Sequence, residues 1–254
     1  MGDISQPKFE IRDLKAYYSD REVIHGINLE INKNEILSLI GPANSGITTL
    51  LRTLNRLCDL NPESRQEGEV VLDGKNIFDH DIVVTQLRRR VGMVFDVPTP
   101  LPLSIFDNVA YGLKIIKMSK ADTANQVEQA LRMSALWEEV KDRLSTPGMS
   151  LSGGQQQRLC MARVLALEPE VVLLDRPCSG LDPISTARIE ESLMEIKEKY
   201  TIVIAPHNVQ QAARISDRVG FMLLGDLIEV DTKELIFSDP RDQRTSDYVT
   251  GRFG

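Results

Sequence analysis

Residues 151–175 read LSGGQQQRLCMARVLALEPEVVLLD, a Ser-Gly-Gly turn, an amphipathic run, a short break at Glu168-Pro169-Glu170 and four apolar residues closed by Asp175. The turn supplies a helix start, and the apolar residues that follow it recur at helical spacing. The compact run Val171 to Leu174 has the character of a strand buried on both faces, as in a parallel sheet. Asp175 then stands at the carboxyl end of that strand, where ligand sites of open α/β sheets lie.

Working outward, the same alternation of compact apolar runs and helical patterns recurs. Ile36 to Ile40 is an apolar run that stops at Gly41, and a helical pattern follows from Thr48 to Leu57. Val91 to Phe95 and Thr201 to Ala205 are further buried-strand candidates. Near the start, Phe9 to Leu14 and Ile24 to Ile31 alternate, which suggests two antiparallel strands joined through Ser19-Asp20. Ser104 to Leu144 is almost wholly helical in pattern, with Val127, Ala130, Leu131, Ala135 and Leu136 on an apolar face. The reading is an α/β fold with a parallel-sheet core, an N-terminal antiparallel β region and an inserted helical subdomain at about 100–158, all in one domain over 8–254.

Between strand and helix, residues 41–49 read GPANSGITT and match the phosphate-loop pattern G-x-x-x-x-G-K-[ST] except at the lysine, where Ile47 stands. Such a loop wraps backbone N–H groups around phosphates at the positive end of a helix. Gly41, Pro42, Ala43, Asn44, Ser45, Gly46, Ile47, Thr48 and Thr49 are therefore candidate nucleotide contacts. Alone, two glycines at this spacing are a weak signal, and an ordinary strand–helix turn explains them better than a nucleotide site does.

Composition narrows the classes. The chain has 254 residues, 42% hydrophobic and 26% charged, within the range of folded globular domains. A net charge of −7 argues against nucleic acid as a partner bound by bulk electrostatics. Cys58, Cys160 and Cys178 are too few and too scattered for a disulfide framework or zinc site and read as buried thiols. No apolar stretch approaches the ~20 residues that span a bilayer, so the expected location is the cytosol, or a membrane reached through a partner.

LSGGQ before a helix and VVLLD after it resemble the signature motif and Walker B strand of ATP-binding cassette proteins. MVFDVPTPLPLSIFDNVAYGL, ALWEEVKDRL, VQQAARISDRVGFMLLGDLIE and SDYVTGRFG further resemble the ATP-binding subunits of bacterial phosphate importers, and the likeness covers nearly the whole chain. The resemblance implies ATP and Mg²⁺ as cofactors, transmembrane permease subunits and a second ATPase subunit as partners, and a peripheral place on the cytoplasmic face of the cell membrane. By position it implies adenine stacking on Tyr18, Mg²⁺ held by Thr48 and, through water, by Asp175, and a γ-phosphate contact from His207. Leu151, Ser152, Gly153, Gly154 and Gln155 inherit the role of completing the partner's site in a head-to-tail dimer. Ser179, Gly180, Leu181 and Asp182 resemble the D-loop crossing that interface.

Three positions depart from the family pattern. Ile47 replaces the lysine, Asp96 the Q-loop glutamine and Arg176 the glutamate after Asp175. Loss of a charge-assisted lysine contact removes about 1.5–3 kcal/mol, roughly ten- to a hundredfold in nucleotide affinity. A guanidinium has no acceptor, so Arg176 cannot serve as general base. Asp96 is a new carboxylate near the γ-phosphate position and a candidate Mg²⁺ ligand. The expectation is an energy-coupling importer subunit with an impaired site of its own. The alternatives are a regulatory cassette that binds nucleotide without turnover and, more distantly, a cassette with no permease.

Overall fold

The computed structural model describes residues 7–252; Phe253 and Gly254, the last two residues of the 8–254 span and of the quoted terminal segment, lie outside the described residues. The opening strands β1 (Phe9–Tyr18) and β2 (Arg21–Ile31) pair antiparallel around Ser19-Asp20. With β4 (Ser64–Leu72) and β5 (Lys75–Asn76) they form a four-stranded sheet in the order β2-β1-β4-β5.

The second sheet is built from β3 (Ile36–Ile40), β6 (Val91–Val94), β7 (Val171–Asp175), β8 (Thr201–Ala205), β9 (Arg218–Leu223) and β10 (Asp226–Thr232), with α2 (Val84–Arg90) leading into β6 and α8 (Val209–Ile215) joining β8 to β9. Its order is β10-β9-β3-β8-β7-β6, with every pair parallel except β9 and β10. Along β7 the alternation of a strand is used on both faces. Val171 and Leu173 join a core made with the antiparallel sheet and with α1 (Ile47–Leu54), while Val172 and Leu174 join another core with α6 (Gly153–Leu165) and α7 (Pro183–Ile196). The fold is the α/β nucleotide-binding architecture expected from the sequence, with the carboxyl ends of β3, β7 and β8 opening on one side.

A third core belongs to helices. α3 (Ile105–Ile115), α4 (Lys120–Met133) and α5 (Trp137–Val140) pack with α6 around Val109, Leu113, Val127, Leu131 and Leu159. Ser104 and Ser119 cap α3 and α4 by accepting the backbone N–H three residues on. The near-continuous helical pattern is broken where Lys117 and Ala135 adopt left-handed backbone, at φ 59° and 52°. Ala135 therefore ends α4 rather than extending its apolar face. Trp137 lies half-buried on this core, with the Arg132 guanidinium 5.1 Å from its ring centroid.

Two other expected boundaries shift. α1 stops at Leu54, not Leu57, because Arg56 turns left-handed at φ 58°, and the strand expected through Phe95 ends at Val94. The tail helices α9 (Lys233–Ser238) and α10 (Gln243–Val249) pack back on β9, where Tyr248 stacks on Phe221 with ring centroids 4.8 Å apart. Cys58, Cys160 and Cys178 are buried free thiols, and among the described residues no helix is long and apolar enough to cross a membrane.

Candidate nucleotide-binding site

The chain leaves β3 at Gly41, where an added Cβ would meet the Met222 carbonyl oxygen at 2.2 Å, so no larger residue fits. It then passes through Asn44 (φ 65°) to Gly46 (φ 91°), the residue preceding α1. The Ser45 hydroxyl donates to the Pro42 carbonyl at 2.8 Å and ties the loop closed. No side chain caps α1, so its first-turn amides lack intrahelical acceptors and point out of the helix. A Gly-rich loop running into an uncapped helix start is a cradle for an anion.

The cradle opens on a cavity of about 600 Å³. Its walls include Tyr18, all nine residues 41–49, Asp175, Arg176 and His207, together with Arg21, Asn208 and Tyr248. Four strand ends, those of β1, β3, β7 and β8, thus deliver the expected groups to one place. Tyr18 comes from the antiparallel sheet, half-buried at the end of β1.

Asp175 closes β7 at 4% exposure. Burial pushes its carboxyl up, opposed chiefly by a hydrogen bond from the Thr48 side chain. Its Oδ1 is buried with no hydrogen-bonding partner among the described residues. An orphaned carboxylate oxygen beside a hydroxyl at a phosphate loop is the hard oxygen donor set that Mg²⁺ takes, so Thr48 and Asp175 fit that ion. His207 is exposed beyond β8, its backbone N–H fixed by Gln211 Oε1 at 2.8 Å.

Ile47, at the position of the pattern's lysine, carries no charge. Its side chain packs on the core beneath the antiparallel sheet while forming part of the cavity wall. Arg176 sits in left-handed backbone at φ 45°, its N–H bound to the Ala205 carbonyl at 2.9 Å. Its guanidinium Nη2 reaches Asp96 Oδ2 at 3.1 Å. The two departures from the family pattern, eighty positions apart, are therefore partners. Asp96 itself lies outside the cavity wall and also accepts from the Val97 N–H at 3.0 Å.

The signature and D-loop residues lie outside this cavity. Ser152 caps α6 in a reciprocal box, accepting from the Gln155 N–H while its own N–H donates to Gln155 Oε1 at 3.1 Å. Ser152 and Gly153 are exposed, whereas Leu151 and Gly154 are buried. Asp182 caps α7 by accepting from the Ser185 N–H at 2.9 Å. Ser179 and Gly180 are exposed ahead of it, and Leu181 packs partly against the core.

Three groups escaped the sequence reading. Tyr248 lines the cavity and is hydrogen-bonded to the Gly41 backbone, and burial pushes its phenol up. Glu139 gathers Gln155 Nε2 and Arg158 Nη1, each at 2.7 Å, and Arg188 of α7, joining the signature helix to the D-loop helix. Buried Gln157 donates to the Phe95 carbonyl at 2.7 Å and ties α6 to the segment before Asp96. Only a polar residue falling inside the apolar stripe of α6, as Gln157 and Arg158 do, could have signalled such contacts.

The sequence of residues 24–179 matches the family model described as ABC transporter. The chain belongs to the ABC transporter family. It is therefore an ABC transporter ATP-binding domain. Among solved structures it is similar to CbiO1 from Clostridium perfringens, part of the ABC transporter complex CbiONQ, at 26% identity and a TM-score of 0.82 over 97% of both chains. It also shares its fold with a bacterial Atm1-family ABC exporter solved with ATP bound, at 24% identity and a TM-score of 0.81. That match covers 99% of this chain and 43% of the exporter chain.

Proposed function

We propose that the chain is the ATP-binding subunit of a membrane importer for inorganic phosphate, binding ATP with Mg²⁺ in the cavity above the phosphate loop but turning it over poorly in its own site. The observation that carries this reading is Arg176 at the end of β7, ion-paired to Asp96 and adjoining the orphaned Asp175 carboxylate. Bound Mg²⁺ would neutralise phosphate charge and polarise the terminal phosphate. Thr48 and Asp175 would hold it, the backbone N–H groups of the loop after Pro42 would bind the phosphates, Tyr18 would stack the base and His207 would contact the outermost group. The guanidinium of Arg176 takes no proton, so the side chain at that position does not serve as general base.

The domain reading, one nucleotide-binding unit over 8–254 with a helical subdomain at about 100–158, goes with this function. The intact cap of the signature helix and the exposed Ser152 and Gly153 support a dimer in which this chain completes a partner's site. Apolar Met149 and Ile184, 57% and 70% exposed, flank the signature and D-loop helices and suit such an interface. The run 95–103, with Phe95, Val97 and Leu103 exposed, suits a permease contact on the cytoplasmic face of the membrane. The likeness to CbiO1, part of a transporter complex, supports assembly with membrane subunits; the phosphate assignment rests on the motif resemblance. A regulatory cassette that binds nucleotide without turnover is the second reading, favoured by the same Asp96–Arg176 pair.

The test is twofold. Equilibrium binding of ATP with Mg²⁺ should be detected in the micromolar to millimolar range, and affinity capture from detergent-solubilised membranes should recover a permease. Failure to bind ATP at several millimolar overturns the nucleotide reading. Capture of no membrane protein, with phosphate uptake unchanged when the chain is removed, overturns the importer reading.

A further inference from the structure

The cavity walls carry three basic side chains among the described residues, Arg21, Arg176 and His207. Arg21 begins β2 beside Tyr18, at the end where the base would stack, and His207 lies beyond the end of β8. Arg176 is the guanidinium of the cavity wall next to Asp175, on whose carboxyl Arg52, outside that wall, also acts. A triphosphate with its inner phosphates on the loop N–H groups after Pro42 would have Asp175 and Arg176 in the same cavity for its outermost phosphate.

Arg176 is also loosely held. Its guanidinium is 57% exposed and makes one hydrogen bond, the 3.1 Å contact to Asp96, whose side chain is 38% exposed. Exposed pairs of this kind are weak, whereas Arg can meet phosphate through two parallel charge-assisted hydrogen bonds. The exchange of partner therefore favours phosphate. Asp96 is the first residue after an anchored position, because the Phe95 carbonyl is held by buried Gln157. Beyond it the apolar residues Val97 and Leu103 stay exposed.

We propose that Arg176 is the phosphate-binding cation that substitutes for the missing lysine, and that ATP draws it off Asp96, freeing residues 96–98, which precede the anchor of the Thr99 carbonyl on Arg163, as a signal that the outermost phosphate is present. This deepens the nucleotide-binding reading and rests on it. ADP, which lacks that phosphate, leaves the pair closed. The device converts a local exchange of ion partners into a change at the proposed permease-facing loop.

Isothermal titration calorimetry with Mg-ATP and Mg-ADP on the full chain tests it, using Arg176→Ala, Arg176→Lys, Asp96→Asn and the Asp96→Asn/Arg176→Ala double variant. Arg176→Ala should weaken ATP roughly tenfold or more and ADP less than about twofold, with Arg176→Lys recovering part of the loss. Asp96→Asn should tighten ATP by up to about fivefold, and that gain should vanish without Arg176. Hydrogen exchange at the Val97 amide, which donates to Asp96, should rise with ATP and not with ADP. Equal effects of Arg176→Ala on both nucleotides, or a gain from Asp96→Asn that survives in the double variant, would overturn the exchange while leaving ATP binding intact. Absence of any nucleotide binding in the unmodified chain would overturn the underlying reading and this inference together.

Discussion

Repairing the catalytic site one residue at a time should fail for an electrostatic reason. Arg176→Glu restores the carboxylate that the family uses to polarise water, but it places that carboxylate against Asp96, whose Oδ2 now lies 3.1 Å from the guanidinium. Two like charges about 4 Å apart repel by ~1 kcal/mol in bulk water and ~4 kcal/mol at an effective dielectric of 20. Both side chains are partly exposed, so the lower figure is nearer; losing the exposed attraction adds up to ~1 kcal/mol. A coupling of about 2 kcal/mol corresponds to roughly thirtyfold. The new glutamate either swings away from the water or takes up a proton, and both spoil a general base. On an Ile47→Lys background, which restores the phosphate contact, steady-state phosphate release should therefore stay low in Arg176→Glu. It should rise a further ten- to thirtyfold when Asp96→Gln is added, with nucleotide affinity measured separately to isolate the chemical step. Equal turnover with and without Asp96→Gln would refute the reasoning. So would robust turnover in the unmodified chain that Asp96→Asn abolishes and Arg176→Ala leaves alone, since Asp96 would then be the base.

Other expectations concern stability and the signature helix. An alanine at Gly154 would place Cβ 2.3 Å from Ser185 Oγ and 2.6 Å from its Cβ, forcing α6 from α7. The expected loss is about 1–3 kcal/mol by chemical denaturation, partly recovered by Ser185→Gly; an unchanged midpoint would refute the close packing. Ser152→Ala removes the cap of α6 at a cost of about 1 kcal/mol, and Ser152→Arg in a mixed dimer should lower the partner's turnover, not this chain's nucleotide affinity. Glu170, bonded to Arg90 and Lys8, has its carboxyl lowered from 4.5 to about 2. A depressed carboxylate stabilises the fold above its unfolded pKa, so this contribution is complete above about pH 5 and disappears as pH falls through 2. Because the side chain is 41% exposed, on the order of 1 kcal/mol is expected. Denaturation midpoints of the unmodified chain and Glu170→Gln should differ at pH 6 and converge toward pH 2.

Much of the fold can be read along the chain because its signals are local. Period-two alternation marked β1 and β2, compact apolar runs marked β3, β7 and β8, and Gly41 and Gly46 marked a turn that needs no side chain. Boundaries slipped where a left-handed residue without a glycine signature intervened, as at Arg56, Lys117 and Ala135. The site was legible in part, since Tyr18, residues 41–49, Asp175, Arg176 and His207 line one cavity. Its wiring was not legible. The pairing of Asp96 with Arg176, the return of Tyr248 to Gly41 and the convergence on Glu139 join residues far apart in the chain. Periodicity carries no record of such contacts; they arise only when tertiary packing sets one helix end beside another.

Trp137 is the chain's single tryptophan, and it sits two residues before Glu139 on the helical core. Its indole is remote in sequence from every phosphate-loop residue and is covered on one side by the Arg132 guanidinium. Intrinsic emission excited at the red edge is therefore a one-site gauge of the helical unit. A titration that fills the phosphate loop without tilting α5 would leave the spectrum still, while one that swings the signature helix would shift it. The chain thus carries its own optical means of separating occupancy from motion, with no label attached.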